Sequence, residues 1–487
     1  MSFLKNLVSE TAVYGLSSII GRLLNFLLVP LYTSLFVPEQ YGLFSILMTV
    51  VAFAMVVLTY GFETSFFHYT NKEKHPDRVL STGFISLLIT SVLFLVVSTI
   101  YSQTIANIMH IPENPNFICW LIWIIVLDVL TTLPFAKLRV DHRAWRFATI
   151  RLINIAINIG FNLFFFLLCP VLLKQGIALA FLNNIYDPSM GIGYVFVSNL
   201  IASATMFFLL LPEVFSLKFV FDFSIWKKMV RYGLPLLFGG LAYVTNEMAD
   251  RLLLEYLLPK DVAASQVGIY SACYKISVFM TLFIQAFRYG AEPFFFAQAE
   301  KKDAKEKYAL IMRYFIAFTA FIFLAINVFI DIIKNFIRSE SYYEGLNVIP
   351  VLLLANLFLG MYYNLSVWYK VSEKTKFGAY LSIIGAIITI TINLLLIPSM
   401  SYVGSAWATL ICYASMCVIS YLYGRRHYPI AYEWKYISFY ILSALSLFYL
   451  WGLWHDDYFV MSSLFCLAYI FSVLILEKRK KISTFNH

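Results

Sequence analysis

Ionisable residues stand in the middle of long apolar stretches of this sequence: Arg22, Glu63, Asp128, Glu247, Asp250, Arg251, Lys275 and Arg288. A charged side chain near the centre of a bilayer costs about 2.5–3.5 kcal/mol on insertion scales, so each needs a partner, a wet cavity or a task. Arg22 lies about 13 residues, or about 20 Å of helix, beyond the start of the first apolar stretch. With Gly21 and Asn25 beside it, Arg22 suits a cation lining a central cavity. The structural alternative is an arginine bonded to backbone carbonyls, to Glu63 or to Asp128. Glu247, Arg251 and Glu255 recur at i, i+4 and i+8, the spacing of an intrahelical ion-pair ladder. The functional alternative has Arg251 facing a cavity and Glu247 or Asp250 coupling to an ion. Lys275 falls mid-stretch and is a cavity candidate. Arg288 is nearer an end, where a long side chain can snorkel. Glu63 and Asp128 fit either a coupling proton or cation or the neutralisation of an arginine.

Other polar residues suggest packing. Arg151, Asn154, Asn158 and Asn162 share one helical face, a pattern that serves interhelical hydrogen bonding. Pro30, Pro134, Pro235 and Pro350 interrupt apolar runs and are candidate hinges. The six cysteines (Cys119, Cys169, Cys273, Cys412, Cys417 and Cys466) show neither metal-ligand spacing nor a pairing pattern, so no metal or cofactor is expected. They read as small apolar packing residues.

The elements that must carry these charges are membrane helices. Hydrophobic residues make up 61% of the 487, charged residues only 13%, and the mean hydropathy is +0.78. A soluble domain carries roughly 25% charge, so most of this surface has to face lipid. Apolar blocks long enough to cross a bilayer recur near 9–36, 41–68, 80–102, 117–138, 148–170, 191–215, 229–258, 263–291, 308–333, 346–369, 377–398, 403–424, 435–453 and 457–476. Barrel strands would be roughly 10 residues long with alternating polarity; these blocks are longer and apolar on both faces. The expected fold is therefore an all-α polytopic membrane protein of about fourteen spans. The first apolar stretch lacks a small-residue cleavage pattern and reads as a true span rather than a signal peptide.

The net charge of +9 sits where membrane topology explains it. With the N-terminus inside, inner segments hold 28 Lys and Arg, outer loops 4, and spans the remaining 4. That bias is the positive-inside pattern, with both termini cytoplasmic. Nucleic acid is not implied.

A weak internal repeat divides the chain. Tyr14-Gly15-Leu16 recurs as Tyr232-Gly233-Leu234, and Gly42-Leu43-Phe44-Ser45 as Gly268-Ile269-Tyr270-Ser271. Gly61-Phe62-Glu63 recurs as Gly290-Ala291-Glu292, and Asn162-Leu163 as Asn393-Leu394. The repeat pairs span 1 with 7, 2 with 8 and 5 with 11. Six spans per half make the repeats parallel. The expected organisation is an N-terminal lobe over 1–220, a C-terminal lobe over 221–430, and two added spans with a basic tail over 431–487. Two lobes of this kind suit a transporter with its site near the midplane.

The series Tyr14-Gly15-Leu16, Ile20-Gly21-Arg22, Pro30-Leu31-Tyr32-Thr33 and Tyr41-Gly42 resembles the opening of bacterial polysaccharide-biosynthesis membrane proteins. Gly61-Phe62-Glu63-Thr64 is similar to the end of their second span. Asp250-Arg251, Gly268-Ile269-Tyr270-Ser271 and Tyr274-Lys275-Ile276 resemble their seventh and eighth spans. Asn393-Leu394 to Ile397-Pro398 and Gly404-Ser405-Ala406-Trp407-Ala408-Thr409 are similar to their eleventh-to-twelfth connection. The resemblance is to the O-antigen flippase (Wzx-type) family of the multidrug/oligosaccharidyl-lipid/polysaccharide exporter superfamily. It implies a fold like the multidrug and toxic compound extruders (MATE). It also implies export of an undecaprenyl-diphosphate-linked oligosaccharide across the bacterial inner membrane by alternating access, driven by an ion gradient. On that implication Arg22, Arg251, Lys275 and Arg288 form a cationic, diphosphate-binding set. Glu63, Asp128, Glu247 and Asp250 are the ion-coupling or charge-partner candidates. Expected partners are the lipid-linked oligosaccharide, membrane lipids and polysaccharide polymerase machinery, with the chain itself a monomer. A lipid II flippase and a drug or cation antiporter of the same fold are the alternatives. An enzyme is not expected: the chain has no long soluble loop, no nucleotide-sugar motif and no phosphate-binding Gly-rich loop.

Overall fold

A computed structural model describes residues 15, 17, 19–176, 182, 184–453 and 459–485. The described residues are helical with no strand. The physical reason is the absence of water: a backbone in hydrocarbon must satisfy its own hydrogen bonds, and a helix does so within one segment.

The helices run in order as α1 (Ile19–Leu35), α2 (Pro38–Thr70), α3 (Pro76–Ile100), α4 (Pro115–Val140), α5 (Ala144–Lys174) and α6 (Gly193–Leu209). They continue as α7 (Phe223–Leu257), α8 (Lys260–Gln298), α9 (Ala304–Val328) and α10 (Ile349–Leu365). The stretch Lys376–His427 is helical but for Ser401, whose φ of 50° breaks it into α11 (376–400) and α12 (402–427). The chain ends with α13 (Trp434–Leu453) and α14 (Phe459–Phe485). Among the described residues, these fourteen longer helices fall in the fourteen apolar blocks in order. Among the described residues, ten continuous helical stretches qualify by length and composition to cross a membrane, and α1 and α6 are shorter apolar helices. The charged helix α7 is not among them, because Glu247, Asp250, Arg251 and Glu255 lower its hydropathy. The protein is thus a multi-pass, all-helical membrane protein.

Prolines act locally and differently. Pro134 and Pro235 lie inside continuous helices, whereas Pro350 sits in the first turn of α10. A proline there forfeits no helical hydrogen bond, so Pro350 starts a helix instead of bending one.

The chain forms two compact units. One comprises Met1–Leu28 and Phe44–Val244, the other Val29–Leu43 and Thr245–His487. Within the first, the end of α2 packs on the start of α7. Ser65 Oγ donates to the Met229 carbonyl at 3.1 Å, and the His68 and Tyr232 rings stack at 4.3 Å. Glu213, at 4% exposure, receives Arg146 at 2.9 Å and Arg143 at 3.5 Å. These bonds fasten the connection between α4 and α5 to the end of α6.

Within the second unit, α2 and α8 begin in backbone contact. A Cβ built on Gly42 would stand 1.8 Å from the Ala264 carbonyl oxygen. One on Gly268 would stand 1.8 Å from that of Pro38. The two glycines matched by the internal repeat therefore meet, and only the absence of a side chain lets the helices approach so closely. Tyr342 donates to the Phe36 carbonyl at 2.7 Å beside this contact.

The last two helices are joined to α9 by a charge network. Arg313, 3% exposed, pairs with Glu433 and, at 2.8 Å, with Glu477. Lys480 also reaches Glu433, and the Tyr440 hydroxyl donates to Glu477. Glu433 precedes α13 outside the spans. Its partial burial alone would raise its pKa, but Lys480 and Arg313 prevail and hold it below the usual glutamate value.

Candidate functional site: two sets of intramembrane charges

Each unit carries its own set. In the first, α1 presents Arg22, an exposed side chain on an apolar helix. Among the described residues it has no acidic partner. Glu63 at the end of α2 does have one: Arg139 of α4 meets it at 2.6 Å and also lies 4.7 Å from the Phe67 ring centroid. Arg151 of α5 stacks near Phe135 and Phe147, 5.1 and 5.6 Å from their centroids. It lies within electrostatic range of Glu63, Asp128, Arg139 and Arg22. Asp128 of α4 is half-buried, and its Oδ1 has no hydrogen-bond partner. This unit therefore gathers three arginines around two carboxylates. The remaining polar residues of α5 pack inward: Asn158 bonds Asn25 at 3.5 Å, and Asn162 bonds the Asn158 carbonyl at 2.8 Å. The first bond joins α5 to α1, as expected for the asparagine stripe, and the second stays within α5.

In the second unit α7 and α8 hold the charges. Asp250 and Arg251 are buried at 4% and 6% exposure. Arg251 takes Asp250 as its counter-ion at 2.8 Å and donates to the Glu247 backbone carbonyl at 2.9 Å. Its guanidinium also lies 4.6 Å from the Tyr274 centroid and 5.7 Å from that of Tyr270. Tyr270 donates to the other Asp250 oxygen at 2.6 Å. Tyr270 and Tyr274 are four residues apart, so they share a face of α8, and that face closes over the ion pair. The Glu247 carboxylate accepts from Tyr413 of α12 at 2.7 Å. Asn246 reaches Ser382 and Thr389 of α11 at 3.2 and 3.3 Å. One polar stretch of α7 thus ties α8, α11 and α12 together.

Lys275 differs from its neighbours. It follows Tyr274, is only partly accessible, and stands near the like charge of Arg251. No carboxylate pairs with it among the described residues. Arg288, further along α8, is held by Glu292 at 3.3 Å and lies 4.1 Å from the Tyr363 centroid. Lys370 shares the same Glu292 at 2.7 Å.

Of the four expected cations, then, Arg251 and Arg288 already have carboxylate partners, while Arg22 and Lys275 do not. Sequence reasoning passed over Arg139, which looked like an ordinary inner-loop charge, and Arg151, which it placed in a packing stripe. It also missed the tyrosine cage of Tyr270, Tyr274 and Tyr413. The i, i+4 tyrosines just before Lys275 were the available signal for two of these. The six cysteines are free thiols, five of them buried.

The fold has clear relatives among solved structures. The chain is similar to a lipid II flippase, MurJ, in an inward closed conformation, with a TM-score of 0.71 at 14% identity, covering 96% of this chain and 99% of that one. It is also similar to a multidrug resistance MATE family transporter of the MOP superfamily. The inward-facing form of that transporter gives a TM-score of 0.65 at 13% identity, covering 85% of this chain and 94% of that one. A MATE family transporter in an outward-facing conformation gives 0.58 at 14%, with coverage of 86% and 95%. No curated protein matches the sequence. The family model described as polysaccharide biosynthesis protein matches residues 7–295, more than half of the chain. With this match over more than half of its length, and with a MurJ- and MATE-like fold, the chain belongs to the polysaccharide biosynthesis protein family.

Proposed function

We propose that this protein is a flippase that exports an undecaprenyl-diphosphate-linked oligosaccharide, such as an O-antigen, capsule or exopolysaccharide unit. It acts in the bacterial inner membrane with both termini cytoplasmic, works by alternating access coupled to an ion gradient, and is not an enzyme. The observation that carries this reading is the pair of intramembrane cations, Arg22 and Lys275, without carboxylate partners among the described residues. A diphosphate is anionic and must cross a region of low dielectric. An unpaired cation supplies the charge that water would otherwise provide, and an arginine fork suits phosphate oxygens. Arg251, paired with Asp250, stands near Lys275, and Arg288 has a supporting place further along the helix of Lys275. Asp128, with one oxygen unbonded and Arg151 nearby, is the preferred ion-coupling carboxylate. Glu63, Glu247 and Asp250 are charge partners.

The test is complementation of a bacterium lacking its own O-antigen flippase, reading surface polysaccharide at matched membrane levels. Wild type should restore it, and Arg22→Ala and Lys275→Ala should not. A well-expressed wild type that rescues loss of a lipid II flippase instead, or that confers drug efflux, would replace this reading by one of the two alternatives of the same fold.

A further inference from the structure

The second unit has an open groove that the charge sets do not touch. It lies between α10, α12 and α13, encloses about 500 Å³, and is almost wholly apolar in lining. That volume is within the roughly 300–1,000 Å³ typical of small-ligand pockets. Its floor is formed by Met361, Cys417 and Ile437, all at most 3% exposed. Its rim is Val418 and Leu442, 56% and 60% exposed, so the groove opens sideways toward hydrocarbon. From Trp434 to Leu442 it runs about 12 Å along α13, a length suited to an alkyl chain lying along the helix.

One end of this groove is charged. Helix α12 finishes at His427 and α13 begins at Trp434, so both helices bring their polar ends to the same level. Tyr421 and Trp434 line the groove there, with ring centroids 4.7 Å apart. Tyrosine and tryptophan prefer the headgroup level of a bilayer. One turn beyond Tyr421 on the same face is Arg425, which lines a small adjoining cleft with Tyr421 and Tyr428. Lys435 follows Trp434 and lies one turn before Ser438 of the groove. Arg425 and Lys435 are exposed and have no acidic partner among the described residues. The acid closest in sequence, Glu433, is taken by Arg313 and Lys480. An apolar slot open to lipid and ending in two unpaired cations is complementary to one amphiphile: an alkyl chain with an anionic head.

The geometry points to a binding site for an anionic phospholipid, one acyl chain lying in the groove of α10, α12 and α13 and the phosphate held at Arg425 and Lys435. The site is separate from the intramembrane charges and does not depend on which cargo the protein carries. A basic pocket between membrane helices at the headgroup level is a recurrent way of selecting anionic lipids.

Native mass spectrometry of the full-length chain in detergent, titrated with dioleoyl phosphatidylglycerol or dioleoyl phosphatidylcholine, tests it. The phosphatidylglycerol adduct should persist at lower lipid concentration. The double variant Arg425→Gln/Lys435→Gln should weaken phosphatidylglycerol by about thirtyfold, at the contribution expected of two basic residues near a charged surface, and leave phosphatidylcholine unchanged. Val418→Trp, at an exposed rim position where folding is not at stake, should weaken both lipids by filling the slot. Equal binding of the two lipids, or a double variant indistinguishable from wild type, overturns the proposal. Undecaprenyl phosphate serves as competitor: failure to displace phosphatidylglycerol supports a phospholipid site, and displacement at lower concentration than phosphatidylglycerol itself assigns the groove to a polyprenyl chain and overturns it.

Discussion

Lys275→Met separates a residue kept for transport from one kept for packing. Lys275 is partly buried in α8, stands near Arg251, and has no carboxylate partner among the described residues. A structural lysine would stabilise the fold, and its removal would weaken it. An unpartnered one does the opposite: insertion of a lysine at mid-membrane costs about 2.5–3.5 kcal/mol. Partial access to solvent and snorkelling reduce that figure, so the variant should gain about 1 kcal/mol of stability. Methionine keeps the length and much of the volume of the side chain, which limits any packing change. Transport should move the other way. Truncating one member of a hydrogen-bonded charge pair in a desolvated site costs 2–5 kcal/mol or more. Even the lower end predicts at least a tenfold fall in export when cargo is limiting. Two assays suffice: denaturant unfolding of the purified protein in mixed micelles, and surface polysaccharide in a flippase-deficient strain at matched membrane levels. A Lys275→Met protein destabilised by more than about 1 kcal/mol, or one that exports normally, would refute the reasoning.

Asp250→Ala should behave as a structural lesion. It leaves Arg251 buried without its carboxylate, at a cost of about 3–5 kcal/mol, and adding Arg251→Met should recover most of the loss in the same unfolding assay. Gly268→Ala forces a methyl group into the Pro38 carbonyl, so α2 and α8 must separate; a loss of about 1–3 kcal/mol, or more, is expected, with a lower thermal midpoint. Arg313→Leu removes the cation shared by Glu433 and Glu477, leaving only Lys480 and Tyr440 on them, and should increase proteolysis between α12 and α13. The pH dependence of the same network follows from Glu433. Its pKa is depressed in the folded protein, so its contribution is complete above the ordinary glutamate value of about 4.3 and is lost as pH falls through the lower folded value. Glu433→Gln should flatten the stability profile in that acidic window. An unchanged profile would assign the acid sensitivity to other carboxylates.

How far the molecule could be read from its sequence differs between the fold and the charges. Hydropathy alone located fourteen helices in order, because a segment that crosses hydrocarbon must be apolar along its whole length and helical throughout. The break between α11 and α12 was also legible, as the gap between the apolar blocks 377–398 and 403–424, and it falls at Ser401. The repeat pointed to Gly42 and Gly268 as equivalent positions; their face-to-face contact appears only when the helices are packed. The inward asparagines of α5 were recognisable by spacing, since a polar stripe in an apolar helix has to meet protein or water.

The identities of the intramembrane charges were likewise plain in the sequence, but their pairings were not. Spacing along α7 suggested Glu247 and Glu255 as partners for Arg251; the structure adds the adjacent Asp250, which pairs with it under two tyrosines of α8. Glu63 finds Arg139, 76 residues away, and Glu433 joins helices that lie far apart in the chain. A sequence determines that a charge enters the membrane, because that cost is local to the helix carrying it. Whether the charge is neutralised or left available depends on which helix faces it, and only the tertiary packing decides that.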